Sequence, residues 1–304
     1  MGQEKSYTTC DQSVSDQIRQ LLSLKRFYGG NAEGVARVNV SEIRHAEECL
    51  REAFNYKLRG QKILEIGPGQ LLGQLPYLAL NNDVVGVDFD IVPQGFDLKQ
   101  YMQMLARNGA ARTVKTIGRK VLGVDRRYRA QLKKELAISY LPKVRVLAAD
   151  VLNLPFDSGS FDFVYTRAVF QHLTDPGGAI REIHRVLTDG GIAFVSLQPY
   201  TSPTACLDPR VLYGGVENEI GVWPHLRPDL KDRVKPNATL NRLGLTEWKD
   251  LFSNYCDSPK FVLTKVADEY IPKARRLKDS GHLQEYSLEE LTTGALDVIF
   301  RKVM

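Results

Sequence analysis

Apolar positions along this chain recur in two rhythms, and the switch between them marks out the elements. Ile43, Ala46, Leu50, Phe54 and Leu58 stand three or four apart, which predicts an amphipathic helix over residues 41–58. Ser41 reads as its N-cap and Gly60 as the residue that closes it. A short unbroken run follows, Ile63, Leu64 and Ile66, cut off by Gly67 and Gly69, with Gly73 four positions later. Such a run reads as a buried parallel strand over 62–66, and residues 70–80 can be helical. Further strands are expected at 83–90, 144–150, 161–165 and 192–197. Pro176 opens a helix whose Ala179, Ile180, Ile183, Val186 and Leu187 share one face, ended by Asp189-Gly-Gly191. Residues 198–241 are rich in proline and glycine and read as a long substrate loop or lid. Beyond it the pattern predicts a short helix over 246–252 capped by Thr246, a strand at 261–266, helices at 268–278 and 287–292, and a last strand at 295–303. One short helix, 14–24, is expected near the start.

Strands alternating with helices predict a doubly wound α/β fold. In that fold a strand ending in Gly-x-Gly and aimed at a helix start lets the backbone approach the phosphate or sugar of a nucleotide. The second strand ends in Asp88 and Asp90, about 20 positions after the glycines, where a carboxylate can accept hydrogen bonds from ribose hydroxyls. Asp88 is the first choice; a turn or capping aspartate is the alternative.

Charge sharpens the picture in one place. The chain is +5 overall, yet residues 91–147 carry thirteen basic side chains against Asp97, Asp125 and Glu135, a net +10. Leu98, Tyr101, Met102 and Leu105, then Val114, Ile117, Val121 and Leu122, fall at helical spacing within it, and Gly109, Gly118 and Gly123 divide it into short helices. A basic amphipathic segment suits an anionic membrane surface, a phosphorylated substrate or nucleic acid; a solvated basic face is the plain alternative. The remaining composition is that of a soluble globular protein, with 43 % hydrophobic and 25 % charged residues. Cys10, Cys49, Cys206 and Cys256 are scattered and read as plain thiols. No apolar run reaches membrane-spanning length and no signal-peptide core opens the chain, so a cytoplasmic location is expected. Met1 to Ser6 formally fits a myristoylation pattern, short enough to arise by chance.

The run Ala149-Asp-Val-Leu-Asn-Leu-Pro-Phe-Asp-Ser-Gly-Ser-Phe-Asp-Phe-Val-Tyr165 resembles the class I S-adenosylmethionine-dependent methyltransferases. His172-Leu-Thr-Asp175 and Arg181-Glu-Ile-His-Arg-Val-Leu-Thr-Asp-Gly-Gly191 continue the likeness, and Glu65-x-Gly67-x-Gly69 looks like the family's first motif. The resemblance covers about residues 42–198 and is nearest to the members acting on small molecules, lipids and quinones. It implies a Rossmann-like, mostly parallel seven-stranded sheet of order 3-2-1-4-5-7-6, here with a long basic helical insertion after the second strand. It also implies a domain over 41–304, with insertions at 91–143 and 198–241, preceded by a flank of residues 1–40. Carried over, it sets Glu65, Gly67, Gly69 and Gln70 beside the methionine part of S-adenosyl-L-methionine, Asp88 on the ribose and Phe89 beside the adenine. Asp150 would take the adenine amino group and Val151 the ring, while Thr166 and Arg167 would line the methyl-transfer cleft; Phe170 and Gln171 are secondary candidates there. Leu71 departs from the pattern, which more commonly has a third glycine there.

The expected chemistry is methyl transfer to a small-molecule, lipid or saccharide acceptor, with an oxygen nucleophile as the expected attacking atom. Such a displacement needs the nucleophile in line and close, and a general base if it is a hydroxyl. His172, just past the fourth strand, and His225, in Trp223-Pro-His-Leu-Arg-Pro228, are the candidate bases; His184 falls on the polar side of its helix. No acidic cluster follows the fourth strand, so metal independence is expected. Three rivals stand beside this reading: an RNA methyltransferase, for which the +10 segment speaks; an NAD(P)-dependent oxidoreductase, which the glycines and Asp88 also fit; and a non-catalytic cofactor-binding partner protein.

Overall fold

A computed structural model describes residues 31–303, Phe96 and Thr239 excepted. The helix expected at 14–24, the Met1–Ser6 pattern and Cys10 lie outside the described residues. Seven strands form one sheet in the order β3-β2-β1-β4-β5-β7-β6, the order the family resemblance implies. The chain divides into two compact units: Arg167–Arg181 with Val195–Arg301, and the remaining described residues.

The N-terminal unit is built on parallel strands. β1 (Lys62–Ile66) pairs with β2 (Asp83–Asp88) and β4 (Phe161–Arg167), so that Leu64 stands opposite both Val85 and Val164. β2 pairs in turn with β3 (Arg145–Ala148). Every β1 residue after Lys62 is buried, as strands covered on both faces require. The preceding helix, α1 (Ala32–Phe54), begins nine residues before the expected Ser41. Asn31 caps it by accepting from the Gly34 N–H, and Ser41 lies inside, its hydroxyl donating to the Val38 carbonyl. The stop also differs from expectation: Asn55, left-handed at φ 49°, ends the helix, and Gly60 instead turns the chain into β1.

After the glycines, only Leu75–Leu78 (α2) is helical, because Leu72 is left-handed at φ 56° and interrupts any longer helix. The basic segment folds as α3 (Leu98–Asn108), α4 (Ala110–Val121) and α5 (Val124–Glu135). Gly109 and Gly123, both at positive φ, make the two breaks, whereas Gly118 sits within α4. α5 packs Tyr128 and Leu132 against Ala36 and Val40 of α1. α6 (Pro176–Val186) passes directly into β5 (Leu187–Leu197). Thr188 to Gly191 therefore belong to the strand rather than ending the helix, held there by Gly190 N–H to Lys302 O and Lys302 N–H to Gly191 O.

In the second unit β6 (Lys260–Lys265) and β7 (Thr293–Arg301) are antiparallel. α8 (Leu245–Tyr255) lays Trp248 and Phe252 against Phe170, with Phe252 also meeting Phe300. Its N-terminus is capped by Glu247, which accepts from the Gly244 N–H; Thr246, the expected cap, donates to Glu290. Residues 198–241 are folded rather than loose. α7 (Pro209–Gly214) starts at buried Asp208, whose carboxylate accepts from the Arg210 and Lys235 N–H groups and pairs with the Arg210 guanidinium. Trp223 is fully buried with Tyr270, Ala274, Leu283 and Leu291, and its indole N–H donates to the Thr201 carbonyl. α9 (Tyr270–Asp279) and α10 (Leu288–Thr292) complete this unit.

Candidate functional site

The C-terminal ends of β1, β2 and β3 are stitched together through Asp88. Gly67 N–H donates to the Val87 carbonyl at 2.7 Å, Gly69 N–H to Asp88 Oδ2 at 3.1 Å, and Ala149 N–H to the Asp88 carbonyl at 3.0 Å. Asp88 Oδ1 accepts from the Asp90 N–H. Gly67 and Gly69 take positive φ, 75° and 65°, a region that costs a side-chain-bearing residue dearly. Open space lies where a Cβ on Gly69 would stand, so the loop presents bare backbone. The expected group Glu65, Gly67, Gly69 and Asp88 thus comes together, and Asp88 is at once the turn-former of the alternative reading and the clasp of the glycine loop.

Buried polar atoms concentrate here. Glu65, on β1, is 2 % exposed and its Oε2 has no hydrogen-bond partner. Burial, reinforced by the nearby Asp88 charge, pushes its pKa up to about 8. Asp88 rises to about 6, also chiefly through burial, with the Asp90 and Gly69 N–H bonds pulling the other way. Gln70 donates to the Ile91 carbonyl while its Oε1 is buried and unpartnered. Thr166, fully buried near the end of β4, has an unpartnered hydroxyl as well. Asp150 turns inward on its own loop, its carboxylate accepting from the Leu152 N–H, and Val151 beside it is buried.

The basic insertion is tied to these loops by residues that the sequence shows only as bulk charge. Arg107 lies over the Phe89 ring at 5.6 Å and donates to the Phe89 carbonyl. Arg112 pairs with Asp90 at 2.6 Å. Arg119 pairs with Asp125 and donates to the Gln70 carbonyl, and Lys120 donates to the carbonyls of Pro93 and Gly95. The far end of the glycine loop is held by Tyr128, which donates to Gly73 O and accepts from Asn39 of α1. The sequence signal for these clamps is the contrast between a dense row of cations and the few acids around them.

The remaining candidates belong to the second unit. Arg167 is half-buried at the end of β4. Phe170, Gln171 and His172 form a short 3-10 turn, with Asn241 donating to the Phe170 and Leu173 carbonyls. His225 is buried, with its Nε2 2.8 Å from the Tyr200 carbonyl and its ring edge-on to Tyr200 at 4.9 Å. Burial lowers its pKa to about 4 against the opposing pull of that carbonyl, so the ring is neutral at physiological pH. Among the described residues no group of three or more His, Cys, Asp or Glu is placed to hold a metal ion.

Residues 99–195 match a family described as a methyltransferase domain. The match takes in β3, β4, α6 and most of β5, while the glycine loop precedes it. A demethylmenaquinone methyltransferase of Staphylococcus epidermidis is 38 % identical over 52 residues, 17 % of this chain and 22 % of that protein. An uncharacterised protein of a Streptomyces fradiae transposon is 37 % identical over 81 residues, 27 % and 23 % of the two chains. The chain thus spans about a quarter of the length of these curated relatives. An S-adenosylmethionine-dependent methyltransferase structure from Mesorhizobium loti aligns over 84 % of this chain and 96 % of its own at 15 % identity, with a TM-score of 0.45. The methyltransferase-domain match at residues 99–195 thus lies on a sheet whose strand order is the one the motifs imply.

Proposed function

We propose that the protein moves a methyl group from S-adenosylmethionine to a small or membrane-linked acceptor bearing an oxygen nucleophile. The observation that carries the cofactor part is Glu65: a buried carboxyl with an unpartnered oxygen, one strand away from a second buried carboxylate at Asp88. Desolvated carboxyls of this kind recover their ionisation when a cation or several hydrogen-bond donors arrive. An amino-acid chain with a positive ammonium and a ribose with two hydroxyls supply both. Glu65 and Gln70 would receive the amino-acid end, Asp88 the ribose, and the bare backbone of Gly67 and Gly69 leaves room for the chain between them. Phe89, stiffened by Arg107, and Val151 would flank the adenine, with Asp150 on its amino group. Thr166 and Arg167 are assigned to the methyl-bearing end.

The bound cofactor supplies a methyl group already activated by its sulfonium. The protein's part is to orient the acceptor and take its proton. His172 is the base we assign, because His225 is buried, already engaged with the Tyr200 carbonyl and a weak base. The curated relative named for a quinone substrate supports a small, apolar acceptor class.

Calorimetric titration with S-adenosylmethionine, S-adenosylhomocysteine and NADP tests the reading. Micromolar binding of both sulfur nucleotides is expected, lost in Asp88→Ala. Binding of NADP alone would replace methyl transfer with hydride transfer, and no binding at all would leave a partner protein without a cofactor.

A further inference from the structure

Helices α3 and α4 are built inside out. A helix on the surface of a globular protein turns its apolar stripe to the core and its polar face to water. Here α4 buries Thr113 and Thr116, while Val114 is 68 % and Val121 71 % exposed, with Ile117 exposed between them. α3 buries Met104 but leaves Leu98 77 % and Met102 65 % exposed, with Leu105 one turn on. These exposed residues stand at spacings of three and four on each helix, so each helix presents an aliphatic stripe outward. The inward anchors are the polar contacts already described: Arg107 to Phe89, Arg112 to Asp90, Arg119 to Gln70 and Lys120 to the loop after β2. The inversion is therefore fixed by ion pairs and carbonyl bonds.

We propose that this outward face of α3 and α4 docks on an anionic lipid surface. Charge decides between occupants. From residue 98 to residue 121 the chain has no aspartate or glutamate, Lys99 is exposed within α3, and Arg126 and Arg127 are exposed in the first turn of α5, which follows α4 directly. Aliphatic side chains within a field of that sign match the acyl boundary and phosphate headgroups of an anionic bilayer, where each nearby cation adds to attraction. A nucleic acid would be met by aromatic stacking platforms, and the exposed stripe residues are aliphatic. No helix among the described residues is long and apolar enough to cross a membrane, so the contact is peripheral. The surface does not depend on the methyl-transfer reading, although Arg119 and Arg107 connect it directly to the glycine loop and Phe89.

Vesicle co-sedimentation tests it, with phosphatidylcholine alone against phosphatidylcholine mixed with phosphatidylglycerol. The protein should pellet with the mixed vesicles and release at high salt. Met102→Ser/Val114→Ser/Val121→Ser and, separately, Lys99→Glu/Arg126→Glu/Arg127→Glu should each weaken that binding at least about tenfold, with melting temperature and cofactor affinity unchanged. Asp88→Ala should lose the cofactor and keep the vesicles, so that the two readings fail separately. Equal binding to neutral vesicles, vesicle binding untouched by both triple variants, or no vesicle binding would overturn the proposal. In the last case, self-association lost in the serine variant would assign the face to a second copy, and RNA binding lost in the charge-reversed variant would assign it to nucleic acid.

Discussion

At neutral pH Glu65 holds a proton that a free carboxylate would have released, and under the proposed assignment this governs the pH dependence of cofactor binding. Between about pH 6 and pH 8 the apo site carries Asp88 largely ionised and Glu65 largely neutral. A cationic ligand favours the ionised form of both, so affinity for S-adenosylmethionine should rise with pH across that window and level off above it. Isothermal titration at a series of pH values checks this, and a flat profile counts against the assignment of Glu65. Glu65→Gln should bind the cofactor at least about tenfold more weakly, at about 1.4 kcal/mol per factor of ten, and show no rise above pH 7. The glycines and Asp88 were legible in the chain because backbone freedom and a strand-ending acid are local properties. The proton on Glu65, the Arg119 bond to Gln70 and the burial of His225 were not, since each is imposed by neighbours distant in sequence.

Secondary-structure elements show the same division between local and imposed order. Strand interiors followed from their apolar runs, while the places where elements begin and end were decided by single contacts: Asn31 rather than Ser41 for α1, Glu247 rather than Thr246 for α8. β5 is the clearest case, because Thr188-Asp-Gly-Gly191 has the composition of a turn and is drawn into the strand by Lys302. A Cβ on Gly191 would lie 2.8 Å from the Thr188 carbonyl and 3.2 Å from that of Asp162. Gly191→Ala should therefore destabilise the fold by about 1–3 kcal/mol, read as a lower denaturation midpoint at unchanged slope. A second element-level device joins α6 to the loop after β3. Glu182 accepts from the Leu154 N–H, and Arg185 donates to the Leu154 and Phe156 carbonyls. Arg185→Ala should cost about 2 kcal/mol, since hydrogen bonds from a charged donor are among the stronger ones; a smaller loss in urea denaturation would mean that water replaces the guanidinium there.

At the scale of the molecule, the same carboxyls act against stability in alkali. Glu65 binds its proton more tightly folded than unfolded, at about 8 against the ordinary 4.5 of a glutamate side chain. Its contribution is therefore complete below about pH 4.5 and is lost as pH rises toward and through 8. The apo protein should melt at lower temperature at pH 9 than at pH 7, a gap narrowed by saturating S-adenosylmethionine and by Glu65→Gln, as differential scanning fluorimetry would show. The seven-stranded order was legible from the motifs that carry the family resemblance, whereas the inward anchoring of α3 and α4 was not, because amphipathic spacing does not say which face is buried. The protonated state of Glu65 has one more consequence. If the arriving ligand takes the ionised form, binding near neutral pH must discharge a hydrogen ion to the medium. The heat measured on mixing then includes the ionisation enthalpy of whichever buffer receives it, so titrations in phosphate and in Tris should differ by an amount that counts the ions released.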